Sequence, residues 1–357
     1  MRSSIQAGVA DRHAFDALID TRSPAEFALD RIPGAINLPV LDNDERATVG
    51  TLYVQHSAFE ARRMGAGLVA ANLARHLAGY LADKPRGWRP FVYCWRGGLR
   101  SGTMVYWLRQ VGWDACQLQG GYKQWRAHVI ERIATLSPQL ALRVVAGATG
   151  SAKTRVLQAM ARHGAQVLDL EACASHKGSV LGNLPGVPQP SQKGFETRIV
   201  EALETFDLRR PVFIEAESRK IGALAVPLPL LERLRASPCV EIMAPPAERL
   251  AYLLRDYAYL GDDPAALEAA ITKLHELHSR ETMDRWQGWA RASHLRPLFE
   301  ELMLQHYDPL YTRSQRSHFF AWEQRQSVTA QALDDMGIET LAQRILAQVE
   351  QPLLLSI

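Results

Sequence analysis

Residues Val92-Tyr93-Cys94-Trp95-Arg96-Gly97-Gly98-Leu99-Arg100-Ser101 constrain this chain more than any other stretch. The apolar run Pro90 to Tyr93 predicts a buried strand. It delivers Cys94 into a short loop holding two glycines and two arginines, and an amphipathic helix is expected from Ser101 through Met104, Val105 and Leu108. Glycines let successive N–H groups turn toward an anion. The helix N-terminus adds partial positive charge, and Arg96 and Arg100 add full charge. Such surroundings favour a thiolate. Cys94 is therefore expected to be a nucleophile over an anion pocket formed by Gly97, Gly98, Leu99 and Ser101. A buried, inert cysteine is the alternative, but a core cysteine does not need that loop.

A second strand–loop–helix follows. Leu142 to Ala146 predicts a buried strand, and Gly147-Ala148-Thr149-Gly150-Ser151-Ala152-Lys153-Thr154 leads into a helix over Arg155 to His163. That is the context of a Walker A loop. Gly147, Thr149, Gly150, Ser151 and Lys153 would cradle a di- or triphosphate, and Thr154 would face Mg²⁺. Ala152 stands where the pattern has glycine; if that position needs φ > 0, its Cβ costs ~1–2 kcal/mol. The loop reads phosphates rather than bases, so any diphosphate ester fits it. Two further strands, Val167 to Leu170 and Pro211 to Glu215, make Asp169 and Glu215 candidates for a metal-facing or acidic role. His176, Lys177, Gln189, Ser191, Gln192, Lys193, Arg219 and Lys220 are candidate substrate contacts, four of them from the end of a proline-marked loop.

The rest of the chain supports two α/β domains. Phe15 to Asp20 predicts a strand, and Ser23 a cap for a helix beginning at Pro24. Arg31 to Pro39 reads as a turn into a short strand, Asp42 to Arg63 as polar and irregular, and Gly65 to Leu81 as a helix. Gly112 is a helix C-cap, and Ala115 to Leu118 another strand. Strands alternating with helices indicate a parallel sheet, and the pattern restarts at Leu142. The expected domains are 1–135 and 136–357. Val240 to Met243 is the last strand expected. Beyond it helices are expected over Ala247–Tyr259, Pro264–Arg280, Thr282–Trp289 and Leu295–His306. In the tail, Arg313, Arg316 and Arg325 mix with Tyr311, Phe319, Phe320 and Trp322. That mixture suits stacking on unpaired bases, or core aromatics beside solvated charges.

Composition narrows the setting. The 357 residues carry a net charge of +3, which permits a nucleic-acid partner without requiring one. Four scattered cysteines form no CxxC pair, against zinc fingers and disulfide frameworks and in favour of a reduced, cytoplasmic setting. Met1 to Arg12 lacks an apolar stretch, so no signal peptide is expected, and no run of 18 apolar residues predicts a membrane span.

Leu18-Ile19-Asp20-Thr21-Arg22, Glu26-Phe27 and Ile32-Pro33-Gly34-Ala35-Ile36-Asn37 resemble the N-terminal signature of rhodanese domains, and Gly120-Gly121 with Trp125 their C-terminal one. Cys94 to Ser101 resembles the rhodanese catalytic loop. It is one residue longer than in ordinary sulfurtransferases, a length similar to that of Cys-based phosphatases. Asp30-Arg31 stands where many rhodaneses have Gly-His. Together with the phosphate loop, the segments 167–171, 188–193 and 214–222, and Tyr307-Asp308-Pro309 with Tyr311, the chain resembles the bacterial tRNA 2-selenouridine synthase family. The resemblance implies a rhodanese-like parallel-sheet domain followed by a P-loop NTPase-like α/β domain with C-terminal helices. It implies a transferase acting on the wobble uridine of tRNA. The 2-thio sulfur would be alkylated by geranyl diphosphate and then replaced by selenium from selenophosphate, carried on Cys94 as a selenenylsulfide held by Arg96 and Arg100. Selenophosphate and geranyl diphosphate would be co-substrates, with Mg²⁺ at Thr154, no tightly bound cofactor and no membrane partner. Geranyl diphosphate or a nucleotide fits the phosphate loop equally. The remaining alternatives are a rhodanese-type sulfurtransferase, a Cys-based phosphatase or arsenate reductase with a nucleotide-regulated second domain, and a non-catalytic RNA- or nucleotide-binding regulator.

Overall fold

A computed structural model describes residues 5–350; the signal-peptide expectation, made on residues 1–12, falls partly outside that range. Contacts divide the chain into two compact units, Met1–Arg132 with Ser191–Glu201, and Ile133–Pro190 with Ala202–Ile357.

The first unit is built on five parallel strands: β1 (Gln6–Ala7), β2 (Ala17–Asp20), β3 (Ala35–Asn37), β4 (Pro90–Tyr93) and β5 (Cys116–Leu118), in the order β1-β5-β4-β2-β3. All four residues of β4 are buried, which is why it reads as an unbroken apolar run. Ile19 and Val92 anchor a core closed by Leu73, Met104, Val105, Leu108, Trp88 and Trp113. In register, Asp20 pairs with Tyr93, so β2 ends beside the Cys94 loop. The stretch expected to be irregular is instead a helix, Asn43–Gln55. Asp42 and Glu45 cap it reciprocally, with the Asp42 carboxylate accepting from Glu45 N at 2.8 Å and the Glu45 carboxylate from Asp42 N at 2.9 Å. The next helix, Ala58–Ala78, starts before the expected Gly65, at the Ser57 cap. The first helix buries no residue, so periodicity was silent where its cap was not; the second buries Ala61, Gly65, Asn72 and Leu73 along one face, and periodicity showed all but its first turns.

The second unit centres on β6 (Ala141–Gly147), with β7 (Gln166–Leu168), β8 (Pro211–Glu215), a short antiparallel hairpin of β9 (Lys220–Ile221) and β10 (Leu224–Ala225), β11 (Cys239–Met243) and β12 (Gln326–Thr329). Its main sheet is parallel, in the order β12-β11-β6-β8-β7. Strand β11 is therefore not the last. The polar tail stretch Gln326–Thr329 adds an edge strand of which only Val328 is buried, too weak a pattern to read locally. The closing helix Asp335–Glu350 lays Leu341, Ala342 and Ile345 against Val156, Leu157 and Met160 of the helix Lys153–Arg162. The expected helix over Pro264–Arg280 breaks into Pro264–Thr272 and Arg280–Arg291. That over Leu295–His306 is α-helical only to Glu301, becomes a π-helix at Leu302–Tyr307, and continues as Asp308–His318. These helices bury Trp286, Leu298, Leu302 and Met303 in a second core. In the tail, Phe319 and Trp322 are buried, while Arg313, Arg316 and Phe320 stay exposed. Among the described residues no helix is long and apolar enough to cross a membrane.

Candidate active site

Both anion loops leave the C-terminal ends of central parallel strands, where ligands bind in open α/β sheets. In the first unit, Cys94 follows β4 and is 3% exposed. The helix Leu99–Val111 starts right after the loop, two residues ahead of the expected start, and ends at Gly112. Ser101 Oγ donates to Cys94 Sγ at 3.1 Å. Gln117 Nε2 donates to Ser101 Oγ at 2.8 Å and to Gly98 O at 3.1 Å, leaving the hydroxyl proton to the sulfur or to Gly98 O at 3.4 Å. A donor aimed at sulfur suits negative charge there. Gln117 carries no local sequence signal for this role; it reaches the site across the sheet from β5.

The loop rests on a second glycine pair. Gly97 adopts φ +65° and Gly121 φ +59°. A Cβ on Gly121 would lie 2.3 Å from Cys94 O and 2.5 Å from Gly97 N, so only glycine fits beneath the loop. Tyr122 N and Lys123 N donate to the carbonyls of Cys94 and Trp95 at 2.8 and 2.9 Å. Behind them Arg22 is fully buried. Its Nε donates to both oxygens of Asp20, its Nη2 to Asp30 O at 2.7 Å, and its guanidinium lies 3.8 Å from the Tyr122 ring centre.

The two loop arginines differ. Arg96 is exposed, and so is Leu99, at 80%. Arg100 pairs with Glu26 at 2.9 Å. Burial raises the Glu26 carboxyl's affinity for protons, but Arg100 and the Ser23 N–H outweigh it and hold the group below its ordinary range. Residues 191–201 pack with this unit. Ser191 Oγ donates to Leu29 O, Gln192 Nε2 to Glu196 Oε1 at 3.0 Å, and Lys193 Nζ lies 5.7 Å over the ring of Trp95, next to Cys94.

In the second unit the glycine loop follows β6. Lys153 Nζ donates back to Gly147 O at 2.9 Å. A Cβ on Gly150, at φ +84°, would meet Arg249 O at 2.9 Å. Ala152 sits at φ +58°, ψ +26°, so the left-handed geometry is kept without glycine, at a cost of ~1–2 kcal/mol. Ser151 is buried. Thr154 Oγ1 donates to Glu171 Oε2 at 2.6 Å.

Three glutamates converge here. Glu215, at the end of β8, is wholly buried; its Oε1 accepts from Glu171 N at 3.2 Å, and its Oε2 has no partner among the described residues. Glu171 and Glu217 both approach Gly178. Burial, then the Glu217 charge, raises the Glu171 pKa to about 7. Burial, then the charges of Asp169, Glu171 and Glu217, pushes Glu215 well up, and burial also raises Glu217. Asp169 caps the helix Leu170–Ala174 through a 2.7 Å bond from Ala172 N. No group of three or more His, Cys, Asp or Glu able to hold a metal ion alone occurs among the described residues. Mg²⁺ at phosphate sites needs only one or two carboxylates plus phosphate oxygens. The hard-oxygen set of Thr154, Glu171 and the orphaned Glu215 fits that demand.

The loop borders a cavity of about 430 Å³, lined also by His176, Lys177, Glu217, Tyr252, Asp256 and Tyr257. Lys177 Nζ donates to Asp256 Oδ2 at 2.7 Å beneath the Tyr257 ring. His176 Nδ1 accepts from Gly178 N at 3.1 Å, and burial lowers its pKa. Gln189 is a clasp: it donates to Ala174 O and Ile221 O and accepts from Ala223 N. Arg219 and Lys220 are exposed at the start of the hairpin. Sequence reasoning missed Arg249. It is 5% exposed, donates to Thr149 O at 3.1 Å, and grips both oxygens of Asp308 at 2.7 Å. The fork ties the phosphate loop to the segment Tyr307-Asp308-Pro309.

Comparison with known proteins adds the following. Residues 5–128 match the rhodanese-like domain family, and residues 140–278 match the tRNA 2-selenouridine synthase AAA domain family. A tRNA 2-selenouridine synthase of Nitrosomonas europaea is 38% identical over 247 residues, 67% of this chain and 63% of the relative, so the matched part spans under two thirds of that protein. Relatives of the same description from Cronobacter sakazakii and Cupriavidus necator are 35% and 33% identical, over 85% and 84% of this chain and 82% and 89% of theirs.

Proposed function

The chain belongs to the tRNA 2-selenouridine synthase family, and from that premise we propose that it is a tRNA-modifying transferase that replaces the 2-thio sulfur of the wobble uridine with selenium, in a reducing cytoplasm. The observation that carries the reading is the Cys94 thiol at the mouth of β4. It stands under a hydroxyl donor, in a two-glycine loop long enough for a tetrahedral anion. Selenophosphate is such an anion. With Cys94 held as a mixed disulfide with a small cellular thiol, its selenium breaks the S–S bond: the thiol leaves, water takes the phosphoryl group as phosphate, and Cys94 holds the selenium as a selenenylsulfide. The outer selenium then displaces the alkyl thiol from C2, and a second small thiol cuts the S–Se bond and returns Cys94 to the mixed disulfide. Arg96, exposed at the loop, draws the anion in, and Ser101 donates to the sulfur. Arg100, shared with Glu26, fixes the helix start and contributes part of its charge.

The phosphate loop serves the preceding step. Lys153, Thr154 and the loop amides hold the diphosphate of geranyl diphosphate while the thiouridine sulfur is alkylated. Alkylation matters chemically because a thioether leaves C2 far more readily than a thiocarbonyl does. Mg²⁺, when bound at Thr154, Glu171 and Glu215, supplies charge neutralisation for the diphosphate. Lys177, His176, Lys193, Arg219 and Lys220 are assigned to substrate and RNA contact.

The test is nucleoside mass spectrometry of 2-thiouridine-bearing tRNA incubated with the protein, geranyl diphosphate, selenophosphate and a small thiol with its disulfide. Expected are 2-selenouridine with the wild type, arrest at S-geranyl-2-thiouridine with Cys94→Ser, and unreacted 2-thiouridine with Lys153→Ala. Unmodified tRNA together with release of phosphate from an aryl phosphate would instead identify a Cys-based phosphatase.

A further inference from the structure

A large hollow adjoins the end of the Cys94 loop. A groove of about 1360 Å³ runs between the helices Asn43–Gln55 and Ala58–Ala78 and the first turns of Leu99–Val111. Its floor is small and aliphatic, and two exposed aromatics, Tyr53 and Trp107, join it: Ala47, Gly50, Gly65, Ala66 and Ala70 open the space, and Val54, 82% exposed, lies along it. Leu99 and Arg100 line it too, one helical turn or less from Ser101, whose hydroxyl touches Cys94 Sγ. Arg46 and Arg62, both exposed, join Arg100 in its lining.

That chemistry narrows the occupant. Large contiguous apolar surface beside a polar site marks binding. Unpaired bases need flat stacking partners; Tyr53 and Trp107 offer these to the nucleoside, while the alanine, glycine and valine side chains of the floor offer none. A flexible aliphatic chain needs only a dry, narrow trough, which these side chains provide. The volume exceeds the ~300–1,000 Å³ of ordinary small-ligand sites, leaving room for a chain together with the nucleoside that bears it. The arginines complement an anionic backbone attached to that nucleoside.

We propose that this groove holds the aliphatic chain of the S-alkylated thiouridine of tRNA while its C2 faces Cys94. The inference rests on the two-step reading above and assigns the chain a site on the selenium-carrying unit. The groove is thus the specificity element that distinguishes an alkylated nucleoside from the bare thiouridine at Cys94.

Ala66 and Ala70 line the groove and are exposed, so tryptophan at either position fills it without entering the core. The experiment follows S-geranylated tRNA with selenophosphate in single turnover, and 2-thiouridine tRNA with geranyl diphosphate in parallel, by nucleoside mass spectrometry. Melting curves confirm that each variant is folded. With Ala66→Trp and Ala70→Trp, formation of 2-selenouridine is expected to slow at least tenfold, while S-geranylation stays within twofold of wild type. Selenation at the wild-type rate in both variants overturns the assignment. So does loss of S-geranylation alone, which would make the groove a site for free geranyl diphosphate. If the wild type itself forms neither product, the two-step reading has failed rather than the groove.

Discussion

Gly121→Ala tests whether the floor of the Cys94 loop is as tight as its geometry states. The added Cβ would lie 2.3 Å from Cys94 O and 2.5 Å from Gly97 N, where 3.4 Å marks the start of ordinary contact. Backbone faces backbone there, so no side chain can swing aside, and the loop must lift by about 1 Å. Left-handed φ at a non-glycine residue adds ~1–2 kcal/mol of strain. A 1 Å misplacement of reacting groups costs on the order of a hundredfold in rate. Gly34→Ala is the control: it shares a positive φ, +76°, but its Cβ meets nothing within 4 Å. Both variants are measured by thermal melting and by 2-selenouridine yield. Gly34→Ala should lose stability on the scale of the strain alone and keep its rate. Gly121→Ala should lose more stability and about two orders of magnitude in selenation. Equal rates in the two variants would refute the claim that this contact sets the loop's position.

Three further outcomes are expected. Asp20→Ala leaves the fully buried Arg22 without its carboxylate and should destabilise the first unit by ~3–5 kcal/mol, read as a lowered melting temperature. Glu171, with its pKa raised from 4.5 to about 7, keeps in the folded state a proton that the unfolded chain loses between those values. Ligand-free stability should therefore fall as pH rises from about 4.5 to about 7, by at most roughly 3 kcal/mol, and Glu171→Gln should flatten that slope in melting curves taken across the range. Asp308→Asn weakens the fork on Arg249 that braces Thr149 O. It should loosen diphosphate binding, seen by calorimetry, more than it lowers the melting temperature.

Both anion loops were legible because buried parallel strands write themselves as apolar runs and the loops are punctuated by glycine. β4 before Cys94 and β6 before Gly147 are the clearest cases. The helix Asn43–Gln55 was hidden because its residues are exposed or half-buried; its signal lay in the Asp42–Glu45 cap. Strand β12 was hidden because its pairing partner, β11, lies far earlier in the chain, Val240 against Gln326, and supplies most of the order. The supporting residues at the two sites, Gln117 and Arg249, act through contacts across 16 and 59 positions. No local period records such contacts. The groove beside the Cys94 loop comes from small residues on two helices and from Leu99, Arg100 and Trp107 on a third, each unremarkable in its own segment.

The central claim is that Cys94 carries the selenium. It is tested most directly by converting Cys94 to its mixed disulfide with a small thiol, incubating the whole protein with selenophosphate under anaerobic, non-reducing conditions, and mapping selenium by peptide mass spectrometry. One selenium atom on the peptide containing Cys94, absent from Cys94→Ser, is the expected result. Selenium on Cys116, Cys173 or Cys239, or on none of the four, while 2-selenouridine still forms would contradict it.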